Sequence, residues 1–333
     1  MINIDNLKVN IESQVFKNKN IVIVPHKFAD FDAIGSAIGL SLLVKKMKRI
    51  PFIVVDDRFY DLDRKVQSLI KETKKEFCIV NSRELPKDNR YFILTDVNKK
   101  YMTTVSDLIP TPEDVTIIDH HESDENTLES NYKFIDPQVS SASEVVSKLL
   151  IKMKVKIPPN VANYLLTGIY LDTKKLTKNV SSDTYYIAGK LAEYGADINY
   201  VTELLSEDFE TDRKIQDLIS KTKMITYKIA MIIANDEEEY NRKELAKSAD
   251  YALDYGVDAS FAIGKLDHNM IGVSARSKDK IDVGKVMHEI AGSSGGGNPF
   301  SAAANIKDQT PEEIGKGIEL LLRPNYYNKQ IKR

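Results

Sequence analysis

Five short apolar runs in the first half of the chain, each closing on polar or turn residues, limit the possible folds more than any other feature. They are "NIVIVPH", "PFIVVDD", "FCIV", "YFILTDV" and "VTIIDHH". Runs this short and this uniformly apolar fit strands covered on both faces, as in parallel sheets. Amphipathic segments between them supply the crossovers, so the first half predicts a doubly wound α/β domain. Downstream, "SASEVVSKLLIKMKV" and "PNVANYLLTGIYL" are helical in pattern, each opened by a capping residue or a proline. The charged, periodic stretch from Ile198 to Lys223 predicts a helical connecting segment with a solvated face. Beyond it, "MITYKIAMIIAN", "VDASFAIGKLD" and "MIGVSARS" predict strands, and "ELAKSADYALDY" and "DVGKVMHEIA" helices. The glycine-rich "GSSGGGNPFSAAAN" predicts a special loop. The expected organisation is a parallel-sheet domain over 1–197, a helical linker over 198–223 and a smaller α/β domain with a mixed sheet over 224–333.

The length of 333 residues, 42% hydrophobic and 29% charged, suffices for two cores. Its 47 basic and 49 acidic residues nearly cancel, so the basic excess of a general nucleic-acid binder is missing. One cysteine, Cys78, excludes an internal disulfide and reads as a packed, reduced thiol. The N-terminus lacks a charged stretch followed by an apolar one. The uncharged run from Ile157 to Leu171 holds two prolines and falls short of the roughly 20 residues of a membrane span. A cytoplasmic protein is expected.

In parallel α/β sheets, ligands collect at the carboxyl ends of the strands, where loops converge and helix N-termini face outward. Here His26, Asp30 and Asp32 follow the first run, Asp96 the fourth, and Asp119, His120 and His121 the fifth, while Asp172 closes "LLTGIYL". One aspartate in such a place is ordinarily a helix cap. Four strand or helix ends carrying them together call for another reason. Carboxylates gathered closely raise each other's pKa unless cations sit among them. Imidazole with carboxylate suits Mn²⁺, Zn²⁺ or Fe²⁺, and a mostly oxygen set leans toward Mn²⁺. Aspartates shared between two ions about 3.5–4 Å apart would suit in-line attack on a phosphoryl group. A structural zinc site would show cysteines, and Cys78 stands alone.

The set "HKFADFDAIGS", "LTDVN", "IDHH" and "TGIYLDTKKLT" resembles the four motifs of the DHH phosphoesterase superfamily, named for the triplet found at Asp119, His120 and His121. The resemblance implies that His26 and Asp30 hold one metal, that Asp32, His120 and Asp172 hold the other, and that Asp96 bridges both. It implies that His121 faces the scissile phosphate and that Asp119 orients its neighbours. The second half resembles the DHH-associated C-terminal domain, which grips substrate. Gly295, Gly296 and Gly297 would let backbone N–H groups approach the ligand, and Arg276 would pair with phosphate. Asn298 stands where the family loop carries histidine, and asparagine cannot carry charge near pH 7. His268 and His288 read as structural or surface residues.

Within the superfamily the pattern resembles the catalytic module of bacterial cyclic-di-AMP phosphodiesterases. That implies hydrolysis of cyclic di-AMP to pApA, and to AMP by a second cut, through attack of a metal-bridging hydroxide. Membrane-anchored relatives carry further segments in front, whereas here the module begins almost at residue 1 and is expected to stand free. The alternative is the nanoRNase and pAp phosphatase branch, which acts on short linear nucleotides. A catalytically inactive nucleotide sensor is opposed by the full ligand set. The expected partners are a small nucleotide and a second copy in a homodimer, with no long nucleic acid and no membrane.

Overall fold

The computed structural model describes residues 2–55, 62–226, 228–235, 237–266, 270–278 and 280–322. Its contacts divide into two compact units, Met1–Ser206 and Glu207–Arg333. Among the described residues no helix is long and apolar enough to cross a membrane.

In the first unit the chain runs α1 (Ile4–Lys17), β1 (Asn20–Val24), α2 (Phe31–Lys46), β2 (Ile50–Val54), α3 (Arg64–Phe77), β3 (Ile79–Val80) and β4 (Arg90–Thr95). It continues through β5 (Val115–Asp119), β6 (Tyr132–Ile135), α4 (Ala142–Lys152), α5 (Pro159–Asp172), α6 (Ser182–Glu193) and α7 (Ile198–Leu204). All six strands are parallel, in the order β3-β2-β1-β4-β5-β6. That is the order of a doubly wound sheet, and the winding reverses between β1 and β4. The strands alternate between two cores, as the period of two demands. Ile21, Ile23, Ile53, Ile93 and Ile118 join the helices in one, while Val22, Val24, Val54, Phe92, Leu94 and Ile117 form the other with Val105 and Leu128. This two-sided burial explains why the runs are apolar at every position.

The crossover from β4 to β5 departs from expectation. Between Thr95 and Val115 stand three short 3₁₀ turns, Lys100–Met102, Ser106–Leu108 and Pro112–Asp114, in place of a helix. Pro110 and Pro112 lack the N–H that a helix needs there, and the segment has no helical period. Opposite it, α2 lies unusually close to α4 and α5. A Cβ on Gly35 would stand 2.5 Å from the Tyr164 carbonyl oxygen, and one on Gly39 2.8 Å from the Val146 side chain.

The second unit comprises α8 (Phe209–Ser220), β7 (Thr222–Thr226), β8 (Ile229–Ile233), α9 (Arg242–Leu253), β9 (Ala259–Lys265), β10 (Met270–Ser277), α10 (Val283–Ala291), β11 (Gly295–Gly297), β12 (Ser301–Lys307) and α11 (Pro311–Leu321). Its mixed sheet has the order β11-β12-β10-β9-β8-β7, antiparallel except for the β8–β9 pair. The stretch expected as a special loop is largely a hairpin of β11 and β12, because the small residues of "SAAAN" pack as a strand against β10. The stretch 198–223 holds α7, whose Val201 packs in the helical core of the first unit, and α8, whose Leu218 packs in the second. His268 lies outside the described residues.

Candidate metal centre

Four backbone elements bring the polar residues of the first unit together at the carboxyl edge of its sheet. Asp30 caps α2, its Oδ1 accepting the N–H groups of Asp32 (2.8 Å) and Ala33 (3.1 Å). Capping and site membership therefore coincide in this residue. Asp32, in the first turn of α2, is fully buried. Its two oxygens accept the backbone N–H groups of Ala142 (2.7 Å) and Ser143 (2.8 Å) at the start of α4, where the helix dipole favours an anion. Asp96 directly follows β4 with φ 59°, a left-handed conformation that costs a non-glycine residue about 1–3 kcal/mol. Its N–H donates to the Ile118 carbonyl (3.0 Å), tying the turn to β5. Asp119 ends β5, and its Oδ1 accepts the N–H groups of His120 (2.8 Å) and His121 (3.3 Å) and faces His121 Nδ1 at 2.9 Å. Asp172 ends α5.

The side chains meet in two groups that share one carboxylate. His26 Nε2 lies 3.5 Å from Asp96 Oδ2 and 3.9 Å from Asp30 Oδ1. His120 Nε2 lies 3.2 Å from Asp96 Oδ1, 3.3 Å from Asp172 Oδ2 and 3.9 Å from Asp32 Oδ2. Within each of the sets His26–Asp30–Asp96 and Asp32–His120–Asp172, one potential ligand atom per residue lies within 4.8 Å of the others. A third such set, Asp96–Asp119–His120–His121, overlaps them. Asp96 Oδ1, Asp119 Oδ2 and His26 Nδ1 are buried without a hydrogen-bond partner. Buried orphans cost about 1–3 kcal/mol each, so their concentration here fits a site completed by cations. The donor set, oxygen-rich with two imidazoles, fits divalent transition ions.

Crowding distorts the titration of these groups. Burial, then the neighbouring Asp96, pushes the Asp32 carboxyl up to about 7. Burial, with Asp32, Asp30 and Asp96 close by, pushes Asp172 up to about 11. Burial also acts to raise Asp96, but the close approach of His120 and His26 outweighs it and holds this carboxyl below the usual range. His120 is lifted to about 9, the carboxylates around it overcoming the effect of burial. The Asp119 hydrogen bond raises His121. Protons thus partly neutralise a carboxylate cluster that metal ions would neutralise better.

Some contributors carried no recognisable sequence signal. The α4 amides that hold Asp32 belong to "SAS", legible as a cap and silent about its ligand. Gly168 belongs to the site's packing, since a Cβ there would stand 2.7 Å from Asp32 Oδ1 and 2.4 Å from Ser143 Oγ. Asn98, within "LTDVN", donates from Nδ2 to the His121 carbonyl (3.0 Å) and fixes the triplet loop.

The residues singled out in the second unit are otherwise engaged. Arg276 lies on β10, with Nε 3.3 Å from Asp250 Oδ1 and an Nη1 donating to the Ala275 carbonyl (3.0 Å). Asn298 turns back on its own loop, its Oδ1 accepting the N–H groups of Phe300 (2.9 Å) and Ser301 (2.8 Å). A Cβ on Gly295 would stand 2.2 Å from the Met287 carbonyl oxygen, and Gly297 has φ 146° with Ser301 O at 2.4 Å from its Cβ position. Gly296 alone of the three has open space beside it. His288 lines the cleft of about 410 Å³ that the three glycines border.

The DHH family N-terminal domain matches residues 20–169, and the DHHA1 domain matches residues 221–323. The cyclic-di-AMP phosphodiesterase GdpP of Geobacillus thermodenitrificans is 31% identical over 310 residues, covering 90% of this chain and 46% of that protein. The chain spans about half the length of such curated relatives. Among solved structures, an exopolyphosphatase-related protein from Bacteroides fragilis superposes with a TM-score of 0.79 at 22% identity, over 99% of each chain. The exonuclease RecJ bound to manganese superposes with a TM-score of 0.58 at 10% identity, over 100% of this chain and 97% of that one. The latter two are likenesses of fold. The chain thus carries a DHH family N-terminal domain followed in sequence by a DHHA1 domain.

Proposed function

We propose that this chain is a metal-dependent phosphodiesterase that cleaves cyclic di-AMP to pApA, and to AMP by a second cut. The observation that carries the proposal is the Asp96 carboxylate, with one oxygen toward His26 and the other toward His120. A single carboxylate facing two ligand sets is what a pair of cations needs, and a pair of cations suits phosphodiester hydrolysis. His26, Asp30 and Asp96 would hold one ion, and Asp32, His120 and Asp172 with Asp96 the other, Mn²⁺ being the best match to these donors. Bound there, the ions would supply an activated water and offset the charge of the scissile phosphate.

The remaining residues have roles set by their surroundings. The α4 amides hold and orient Asp32. Asp119 grips His121 through Nδ1, leaving the half-exposed Nε2 side available. The raised pKa of His121 favours its protonated form, so it can donate a hydrogen bond to the phosphate and a proton to the leaving oxygen. The name carried by the 31% identical relative supports cyclic di-AMP as the substrate.

The test is hydrolysis by purified protein with Mn²⁺ of cyclic di-AMP, pApA, pAp and cyclic di-GMP in parallel, with products resolved over time. Cleavage of cyclic di-AMP at a rate comparable to pApA supports the proposal. Rapid turnover of pApA or pAp with cyclic di-AMP intact would make the chain a nanoRNase and pAp phosphatase instead.

A further inference from the structure

A second feature of the first unit lies beside the metal centre: a polar cleft of about 1060 Å³, bounded by the loop after β1, the 3₁₀ turns between β4 and β5, and residues 125–129. Its walls continue three of the loops that build the metal centre. Lys27, next after His26, lines it, and its N–H donates to the Met102 carbonyl (2.8 Å). Lys100, four residues beyond Asp96, lines it and donates from its N–H to the Asn126 carbonyl (3.3 Å). Leu128, on the third wall, donates to the Asn98 carbonyl (2.7 Å), the same Asn98 that holds the His121 carbonyl.

The lining has the chemistry of a nucleoside site. Lys27, Arg83 and Lys100 are balanced by Asp107, Glu125 and Glu129, so the cleft as a whole attracts neither sign. Lys100 already lies 3.9 Å from Asp107, while the half-buried Lys27 ammonium has no ion pair among the described residues. That places an available cation at the end next to His26. Thr104 and Thr127 supply hydroxyl groups, Thr104 Oγ1 lacking a hydrogen-bond partner, while the buried Thr103 hydroxyl donates to the Lys100 carbonyl (3.3 Å). Tyr101 lines the cleft and stands 61% exposed, an aromatic face on which a base can stack. The volume, about 1060 Å³, is just above the roughly 300–1000 Å³ of pockets that enclose small organic ligands.

We infer that this cleft binds the nucleoside adjoining the scissile phosphate, with Lys27 on a phosphate oxygen, the threonine hydroxyls on the ribose and Tyr101 on the base. The inference rests on the phosphodiesterase reading for the identity of the phosphate, and the cleft chemistry selects a nucleotide independently of catalysis. It makes Tyr101 and Lys27 determinants of affinity for nucleotide substrates over small aryl diesters.

Two readouts test it. In the first, KM for pApA is compared with KM for bis(p-nitrophenyl) phosphate, which carries no nucleoside. Tyr101→Ala is expected to raise the ratio of the two about tenfold, and Tyr101→Phe, which keeps the ring, to restore it. In the second, equilibrium binding of AMP should weaken about tenfold in Tyr101→Ala and in Lys27→Ala, with Mn²⁺ content and thermal midpoint showing that the fold is kept. An unchanged KM ratio together with unchanged AMP affinity would overturn the inference. Absence of hydrolysis by the wild type, with AMP still bound and sensitive to Tyr101, would overturn the phosphodiesterase reading and leave the cleft assignment standing.

Discussion

The two glycine- and histidine-bearing regions differ in how their polar atoms are satisfied. At the sheet edge of the first unit, one buried atom each of Asp96, Asp119 and His26 lacks a hydrogen-bond partner, and Asp96 holds an unfavourable backbone conformation. Around the glycine strand of the second unit, Arg276 is paired with Asp250, Lys285 lies 3.4 Å from Asp282, and Asn298 caps its own loop. The first region is incomplete by itself and implies cations. The second has these side chains paired, and two of its three glycines are explained by close approach of the α10 backbone and by a positive φ. Shared motif character thus conceals different physics: unsatisfied polar atoms in one place, close backbone approach in the other.

That contrast breaks most directly at Asp96. Asp96→Ala is expected to lower kcat on any cleaved dinucleotide by more than about 10³-fold, by removing the shared ligand. His121→Ala should follow, with a loss of about 10²-fold or more through the missing proton donor, measured at saturating Mn²⁺. Comparable activity in either variant would mean that the orphaned atoms serve something else.

Chelation of metal should expose the electrostatic strain of the first region alone. Asp32 folds with a pKa of about 7, above its ordinary 3.8, so the folded state keeps a proton that the unfolded chain releases. His120, lifted to about 9 from 6.5, acts in the same direction. Stability gained from these groups is full at low pH and falls as pH climbs through 7 and then 9. The thermal midpoint of chelated protein should therefore decline from pH 6 to pH 9, and Mn²⁺ should flatten the decline. A chelated midpoint that rises over this interval would contradict the crowded-carboxylate picture.

In the second region the expected effects are on stability. Gly295→Ala forces a Cβ against the Met287 carbonyl and should cost about 1–3 kcal/mol. Gly296→Ala has open space and should fall within about 0.5 kcal/mol of wild type, read from denaturant midpoints. If Gly296→Ala nonetheless raises KM, the open side of that strand is a ligand surface. His288→Ala, on the same cleft, offers the smallest and most specific check, a KM change with an unchanged midpoint.

Much of the first unit was legible because two-sided burial writes itself as uninterrupted apolar strands, and because a ligand cluster needs chemically distinctive side chains at strand ends. β6, reading "YKFI", was not, since it is only partly buried and carries a lysine. The β4–β5 crossover escaped because its prolines announce only the absence of a helix. The amides holding Asp32 are backbone groups, which any sequence supplies, and the loop contacts of the Asn298 side-chain carbonyl have no signature in sequence. The glycine hairpin read as a loop because glycine strands carry no side-chain period.

Whether one carboxylate serves two cation sites is read by counting Mn²⁺ bound per chain, by isothermal titration, in wild type and Asp96→Asn. The geometry predicts about two ions in the wild type and a loss of tight binding at both sites in the variant. Unaltered stoichiometry and affinity in Asp96→Asn would contradict it.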